Sequence, residues 1–100
     1  MSDETCRLDV WLHRARFLKT RAQAAAFVEA GRVRVTHAGV QCRVEKPGRA
    51  VRVNDELVFA MGGRVTAVRI EALGVRRGPP TEARALYRPL DADGRADSGT

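Results

Sequence analysis

Between positions 8 and 15 the apolar residues recur with the spacing of one helical face. Leu8, Trp11, Leu12 and Ala15 stand at i, i+3, i+4 and i+7, which predicts a short amphipathic helix. On the same wheel Arg7 and Arg14 fall on one flank of the stripe, and Asp9, His13 and Arg16 on the other. A second helix is expected from Thr20, because Thr20-x-x-Gln23 has the form of a capping box, whose side chains serve orphan backbone donors. Ala22, Ala24, Ala25 and Ala26 favour helix, while Ala24, Phe27 and Val28 give it a buried face. Gly31 fits a left-handed cap at its end. The connection Phe17-Leu18-Lys19 is short enough to force the two helices into a hairpin.

After Gly31 the period becomes two. Arg32-Val33-Arg34-Val35 alternates basic and apolar, so the valines share one strand face and the arginines the other. Thr36 to Gly39 reads as a turn and Val40 to Val44 as the return strand; Lys46-Pro47-Gly48-Arg49 is a loop, since Pro and Gly interrupt a ladder. Val51-Arg52-Val53 is a short strand ended by Asn54-Asp55, and Glu56 to Ala60 with Arg64 to Ala72 form a hairpin across Met61-Gly62-Gly63. Arg76-Arg77-Gly78-Pro79-Pro80 is a loop, and Thr81 to Tyr87 suit a short helix. The order is that of an α+β domain, its N-terminal helix pair packed on one side of a small, mostly antiparallel, curled sheet, with a short C-terminal helix. The organisation expected is a flexible N-terminus over 1–6, a principal unit over 7–60, a hairpin strand and short helix over 61–90 completing the same domain, and a disordered tail over 91–100 that lacks apolar anchors.

Charge changes the picture. Eighteen basic residues face twelve acidic ones for a net +6, and all but Lys19 and Lys46 of the basic set are Arg. Residues 7–52 carry eleven cations against Asp9, Glu29 and Glu45, so the positive field lies in one half while the rest is slightly acidic. A localised positive field favours a polyanion, because each neutralised phosphate releases condensed counterions. Arg in place of Lys points the same way, since its planar fork binds phosphate with two parallel hydrogen bonds. No apolar run approaches the roughly 20 residues a membrane span needs, and MSDETCRLD is acidic where a signal peptide is basic then apolar, so a cytoplasmic protein without membrane contact is expected. Cys6 and Cys42 match no zinc spacing with His13 and His37 and read as reduced, partly buried thiols, so neither metal nor cofactor is expected.

Arg7-Leu8-Asp9-x-x-Leu12, Lys19-Thr20-Arg21, Ala30-Gly31-Arg32-Val33-Arg34-Val35, Lys46-Pro47 and Asp55, in this order, resemble the S4 RNA-binding domain over residues 7 to about 60. Trp11, Ala15-Arg16-Phe17, Arg77-Gly78-Pro79, Glu82-Ala83 and Leu86-Tyr87 are similar to the heat shock protein 15 family of small stand-alone S4 proteins. The resemblance implies an S4-type (αL) fold and binding to structured RNA, with large-subunit rRNA and tRNA as partners. It implies docking on free large ribosomal subunits that hold a nascent chain on tRNA, in rescue or quality control of blocked ribosomes, with a link to heat shock. The small S4 protein of bacterial ribosome quality control resembles this chain in size and implies the same role. The chain departs from the family at Val35-Thr36-His37-Ala38-Gly39, where Val-Asn-Gly is usual, and in lacking the long basic C-terminal extension of some members.

The residues themselves lead to the same surface. The start of the second helix presents free N–H groups and the positive end of a helix dipole at Thr20 and Arg21. Lys19 and Arg21 flank it, Arg7, Arg14 and Arg16 extend it along the first helix, and Arg32, Arg34, Lys46 and Arg49 are expected to complete one groove between helices and sheet. Structural readings stand beside these: Thr20 as a cap, Arg7 paired with Asp9 or Glu29, Arg43, Arg52 and Arg64 as solvated strand residues, Trp11 as core, and His13 as a flank residue. Catalysis is not expected, for no Gly-rich phosphate loop, nucleophile elbow or paired carboxylates in an apolar helix face occur. The alternative is a helix-turn-helix DNA-binding module, but the second helix offers no base-reading residue beyond Gln23. The free chain is expected to be a monomer.

Overall fold

In the computed structural model, which describes residues 4–90, helices α1 (Leu8–Arg14) and α2 (Arg21–Glu29) pack together over one face of a five-stranded antiparallel sheet. Its strands are β2 (Val33–His37), β3 (Val40–Val44), β5 (Glu56–Met61), β6 (Arg64–Ile70) and β7 (Tyr87–Pro89), in the order β3-β2-β5-β6-β7. Two short strands, β1 (Cys6–Arg7) and β4 (Ala50–Val51), form a separate ladder, and α3 (Pro80–Arg84) precedes β7. The architecture is the α+β arrangement read from the sequence.

Alternation decides which face is covered. Val33 pairs with Phe59, Val35 with Leu57 and Leu57 with Val68, so these side chains line one face and close it against Leu8, Trp11, Leu12, Ala24 and Val28. All five aromatic rings join this core: Trp11 lies 6.1 Å from Phe17, Phe17 lies 5.0 Å from Phe59 and 4.8 Å from Tyr87, and Phe27 lies 6.0 Å from Phe59. Trp11 is buried and donates its Nε1–H to Ala72 O at 2.9 Å. Its role is structural; Phe59 is buried with it, while Phe17, Phe27 and Tyr87 pack against the core and stay partly exposed.

Several boundaries differ from the sequence reading, each for a local reason. β2 runs through Thr36 and His37, which pair with Gln41 and Val40, so the turn is only Ala38-Gly39 with φ of 51° and 82°. Two left-handed residues suit a tight hairpin, because its twist matches that of the strands. The strand expected at Val51 to Val53 is Ala50–Val51, paired outside the main sheet with Cys6–Arg7; Cys6, placed by the sequence reading in a flexible terminus, is therefore in a ladder. The final helix stops at Arg84, and Tyr87 begins a strand against Ile70 instead of closing the helix. Residues 1–3 and the tail 91–100 lie outside the described residues. Among the described residues no helix is long and apolar enough to cross a membrane.

Candidate nucleic-acid interface

α1 ends in a turn of the kind that ordinarily carries glycine. Arg16 occupies its left-handed position with φ 67°, while Arg16 N–H donates to His13 O at 3.1 Å and Phe17 N–H to Leu12 O at 3.0 Å. A non-glycine residue there costs about 1 kcal/mol. The conformation directs Arg16 to the segment after β6, where Nε donates to Gly78 O at 2.6 Å. Arg14 reaches the same segment, its Nη1 donating to Gly74 O at 2.8 Å and Leu73 O at 3.4 Å. In return Arg77 Nε donates to His13 O at 3.1 Å. Residues 73–78 are thus strapped across the C-terminal end of α1 by three guanidinium groups.

The N-terminal end of α2 adjoins this strap. Thr20 Oγ1 accepts from Gln23 N–H at 3.0 Å, one half of the expected capping box; the Gln23 side chain makes no return bond to Thr20 N–H, and the Arg21 and Ala22 amides have no acceptor among the described residues. Free first-turn amides and the positive dipole end together suit a phosphate oxygen. Lys19 and Arg21 are exposed and pair with no described carboxylate. The electrostatics register on His13: its imidazole is pushed below the usual histidine value first by burial, then by the charges of Arg77, Arg21, Arg14 and Arg16. Burial also raises the Cys6 thiol, with Asp9 adding to the effect and Arg14 and Arg21 opposing it.

A second cationic feature flanks the N-terminal end of α1. Arg7 binds Asp9 through two hydrogen bonds of 3.1 Å, and buried Asp9 also accepts from Val10 N–H at 2.8 Å. The Asp9 hydrogen bond and charge raise the Arg7 pKa further. The structural pairing of Arg7 with Asp9 is therefore real, yet its side chain stays 55% exposed. Pro47 O and Arg49 O accept from Asp9 N–H and Leu8 N–H at 3.1 and 2.9 Å, so the loop caps α1. Arg7, Arg43, Lys46 and Arg49 surround an open cleft of about 650 Å³ with Glu45 as its acidic member. Arg43 pairs with Glu45 at 3.6 Å, and Arg49 Nη1 approaches Cys42 Sγ at 3.5 Å.

The ten residues singled out in the sequence therefore do not share one groove. Arg14, Arg16, Lys19, Thr20 and Arg21 gather around the junction of the two helices, and Arg7, Lys46 and Arg49 gather in the cleft. Arg34 lies between Val33 and Val35, which face the core, so it points from the opposite sheet face, beside Arg43. Arg32 is exposed at the start of that strand. Arg77 and Arg43, absent from the sequence-derived set, join the two clusters; 64 residues separate Arg77 from His13, beyond any local pattern. Asp55 is buried and structural, bonded to His37 Nδ1 and to Arg52 N–H at 3.0 Å. Cys6 and Cys42 are free thiols; Cys6 is partly buried as expected, but Cys42 is exposed on the edge strand β3, and no group of potential metal ligands occurs among the described residues.

Fold and site together define a small S4-type protein, a helix pair on an antiparallel sheet with cations concentrated at the helix junction. The S4 domain profile matches residues 6–35. Heat shock protein 15 of Escherichia coli (strain K12) is 37% identical over 81 residues, covering 81% of this chain and 57% of that protein. The RQC P-site tRNA stabilizing factor of Listeria innocua is 39% identical over 69 residues, covering 69% of this chain and 70% of the factor. The solved trimeric structure of Vibrio cholerae heat shock protein 15 superposes with a TM-score of 0.76 at 34% identity, covering 91% of this chain and 86% of that one. The chain belongs to the heat shock protein 15 family of S4-domain proteins. It spans 57% of the length of the Escherichia coli relative.

Proposed function

We propose that this chain is a non-catalytic RNA-binding module that docks on structured ribosomal RNA of the free large subunit while a nascent chain remains on tRNA. Its setting would be cytoplasmic rescue or quality control of stalled ribosomes. The observation that carries the reading is the junction where Arg14, Arg16 and Arg77 hydrogen-bond between α1 and residues 73–78, beside exposed Lys19 and Arg21 and two unbonded helix amides. Such a surface addresses backbone phosphates and shape, which is how folded RNA is recognised when its narrow major groove hides the base edges. Trp11 and Phe59 are buried and the other three rings are packed on the core with part of their surface covered, which favours backbone contact over base stacking. The similarity to the RQC P-site tRNA stabilizing factor of Listeria innocua supports a ribosomal setting with tRNA nearby.

Beyond Arg21 and Gln23 the exposed face of α2 holds only Ala22, Ala26 and Glu29, which give a major groove little to read and argue against the helix-turn-helix alternative. The reading takes the free chain as a monomer, whereas the Vibrio cholerae relative was solved as a trimer, so light scattering of the free protein belongs with the binding test. That test is sedimentation of cell extract through a sucrose gradient. Co-migration with free large subunits is expected. Migration with intact ribosomes only, with free tRNA, or at the top of the gradient would overturn the reading, as would duplex DNA competing as well as structured RNA at matched salt.

A further inference from the structure

We propose that the strap of residues 73–78 is itself part of the RNA-binding surface, with Arg77 a direct phosphate ligand and Arg14 and Arg16 the residues that hold it in position. This rests on the RNA-binding reading above and assigns it a partner group from outside the sequence-matched S4 segment, residues 6–35.

Two neighbouring arginines show the contrast. Arg76 is exposed and neutralised by Glu82 at 2.9 Å. Arg77 is half-buried and directs Nε to His13 O at 3.1 Å, and its Nη1 and Nη2 have no acceptor among the described residues. A guanidinium fixed at Nε with both terminal nitrogens free is a preformed fork for a phosphate, because orienting it for one bond already restricts its rotamers. The strap that carries it is anchored at both ends. Gly74 has φ 74°, and a Cβ on it would lie 3.1 Å from Leu86 Cδ1; Pro79 and Pro80 then lead directly into α3.

Arg14 and Arg16 take the complementary role. Each uses its guanidinium on strap carbonyls, Arg14 on Gly74 O and Arg16 on Gly78 O, and Arg16 does so from a left-handed backbone position. Two residues that sequence alone marks as RNA contacts thus act as struts, and the arginine they bring into place is Arg77. The result is three guanidinium groups, those of Arg14, Arg16 and Arg77, bonded across one short junction with no described carboxylate paired to them. Their mutual repulsion is relieved when a polyanion docks.

The test uses the full chain and purified bacterial large ribosomal subunits in filter binding over a range of salt, at a temperature where every variant is folded by circular dichroism. Arg77→Gln is expected to weaken binding about tenfold, the loss of one charge-assisted contact, and to make the log–log salt slope shallower by roughly 0.7–0.9. Arg77→Lys, which keeps the charge but neither the fork nor the bond to His13 O, is expected to restore the salt slope and only part of the affinity, and Arg76→Gln to leave both unchanged. Arg14→Ala is expected to weaken binding without adding to Arg77→Gln in the double variant, since both act on one element. Arg77→Gln with unchanged affinity and slope would overturn the strap assignment, and so would a slope for Arg77→Lys as shallow as that of Arg77→Gln. Lys19→Ala/Arg21→Ala run in parallel separates the two levels: if it weakens binding while Arg77→Gln does not, only the strap fails. If neither does, the RNA-binding reading fails with it. Should Arg77→Gln not fold, the slope of Arg14→Ala set against that of Lys19→Ala/Arg21→Ala decides the question.

Discussion

Trp11 joins the core to the binding face, and its removal gives a magnitude that the structure fixes in advance. The indole is buried, packs 6.1 Å from Phe17 and 6.3 Å from Tyr87, and donates to Ala72 O just before the strap. Burying a ring of this size removes about 150–250 Å² from water, or roughly 4–6 kcal/mol at about 25 cal/mol per Å². Truncation to Ala keeps part of that and leaves a cavity, so Trp11→Ala should destabilise by about 3–5 kcal/mol. That is a large share of the roughly 5–15 kcal/mol available to a domain of this size, and lowers the melting temperature by some 12 °C or more. Trp11→Phe retains the ring packing but leaves Ala72 O without its donor, for about 1–3 kcal/mol. Urea unfolding followed by far-ultraviolet circular dichroism checks both, and RNA affinity at low temperature, where both variants are folded, should change little. Full stability in Trp11→Ala with lost RNA affinity would refute the core assignment and make the indole a binding residue.

Other consequences are equally direct. The folded-state pKa of His13 lies below its ordinary value of 6.5, so the unfolded chain takes up that proton more readily. Stability contributed here is present above the unfolded value and is lost as pH falls toward the folded one; His13→Gln should flatten the fall in urea midpoint between about pH 7.5 and about pH 5.5. A bound polyanion offsets the arginine charges, so the His13 ring-proton titration followed by NMR should move upward on adding structured RNA, and no movement would place the RNA elsewhere. Cys42 is exposed, whereas Cys6 is half-buried with its thiol pKa raised, so iodoacetamide should label Cys42 first in mass spectra. Faster labelling of Cys6 would contradict the packing of β1 against α1.

The helix pair was legible because its information is local. The stripe Leu8, Trp11, Leu12, Ala15, the Thr20 cap and Gly31 each act within one or two turns, and the structure places all of them as read. The sheet hairpins followed from alternation, although the twist preference of a two-residue turn shortened the first loop to Ala38-Gly39. The binding face was legible only in part. Charge counted by halves of the sequence marked residues 7–52, but folding brings Arg77 from the other half onto His13 and sends Arg34 to the far side of the sheet. Likewise β1 and β4, two residues each, pair across more than forty positions, and Tyr87 becomes a strand residue only because Ile70 offers a free edge. Contacts set by tertiary closure leave no periodic trace in the chain.

The central claim, that cations at the junction of α1 and α2 grip RNA phosphates, is tested most directly by the salt dependence of binding to purified large subunits. Wild type and Lys19→Ala/Arg21→Ala would be titrated between about 50 and 200 mM monovalent salt. Two lost phosphate contacts should make the slope of log K against log salt shallower by about 1.8, with an unchanged melting temperature. Parallel lines of equal affinity for the two proteins would contradict the account.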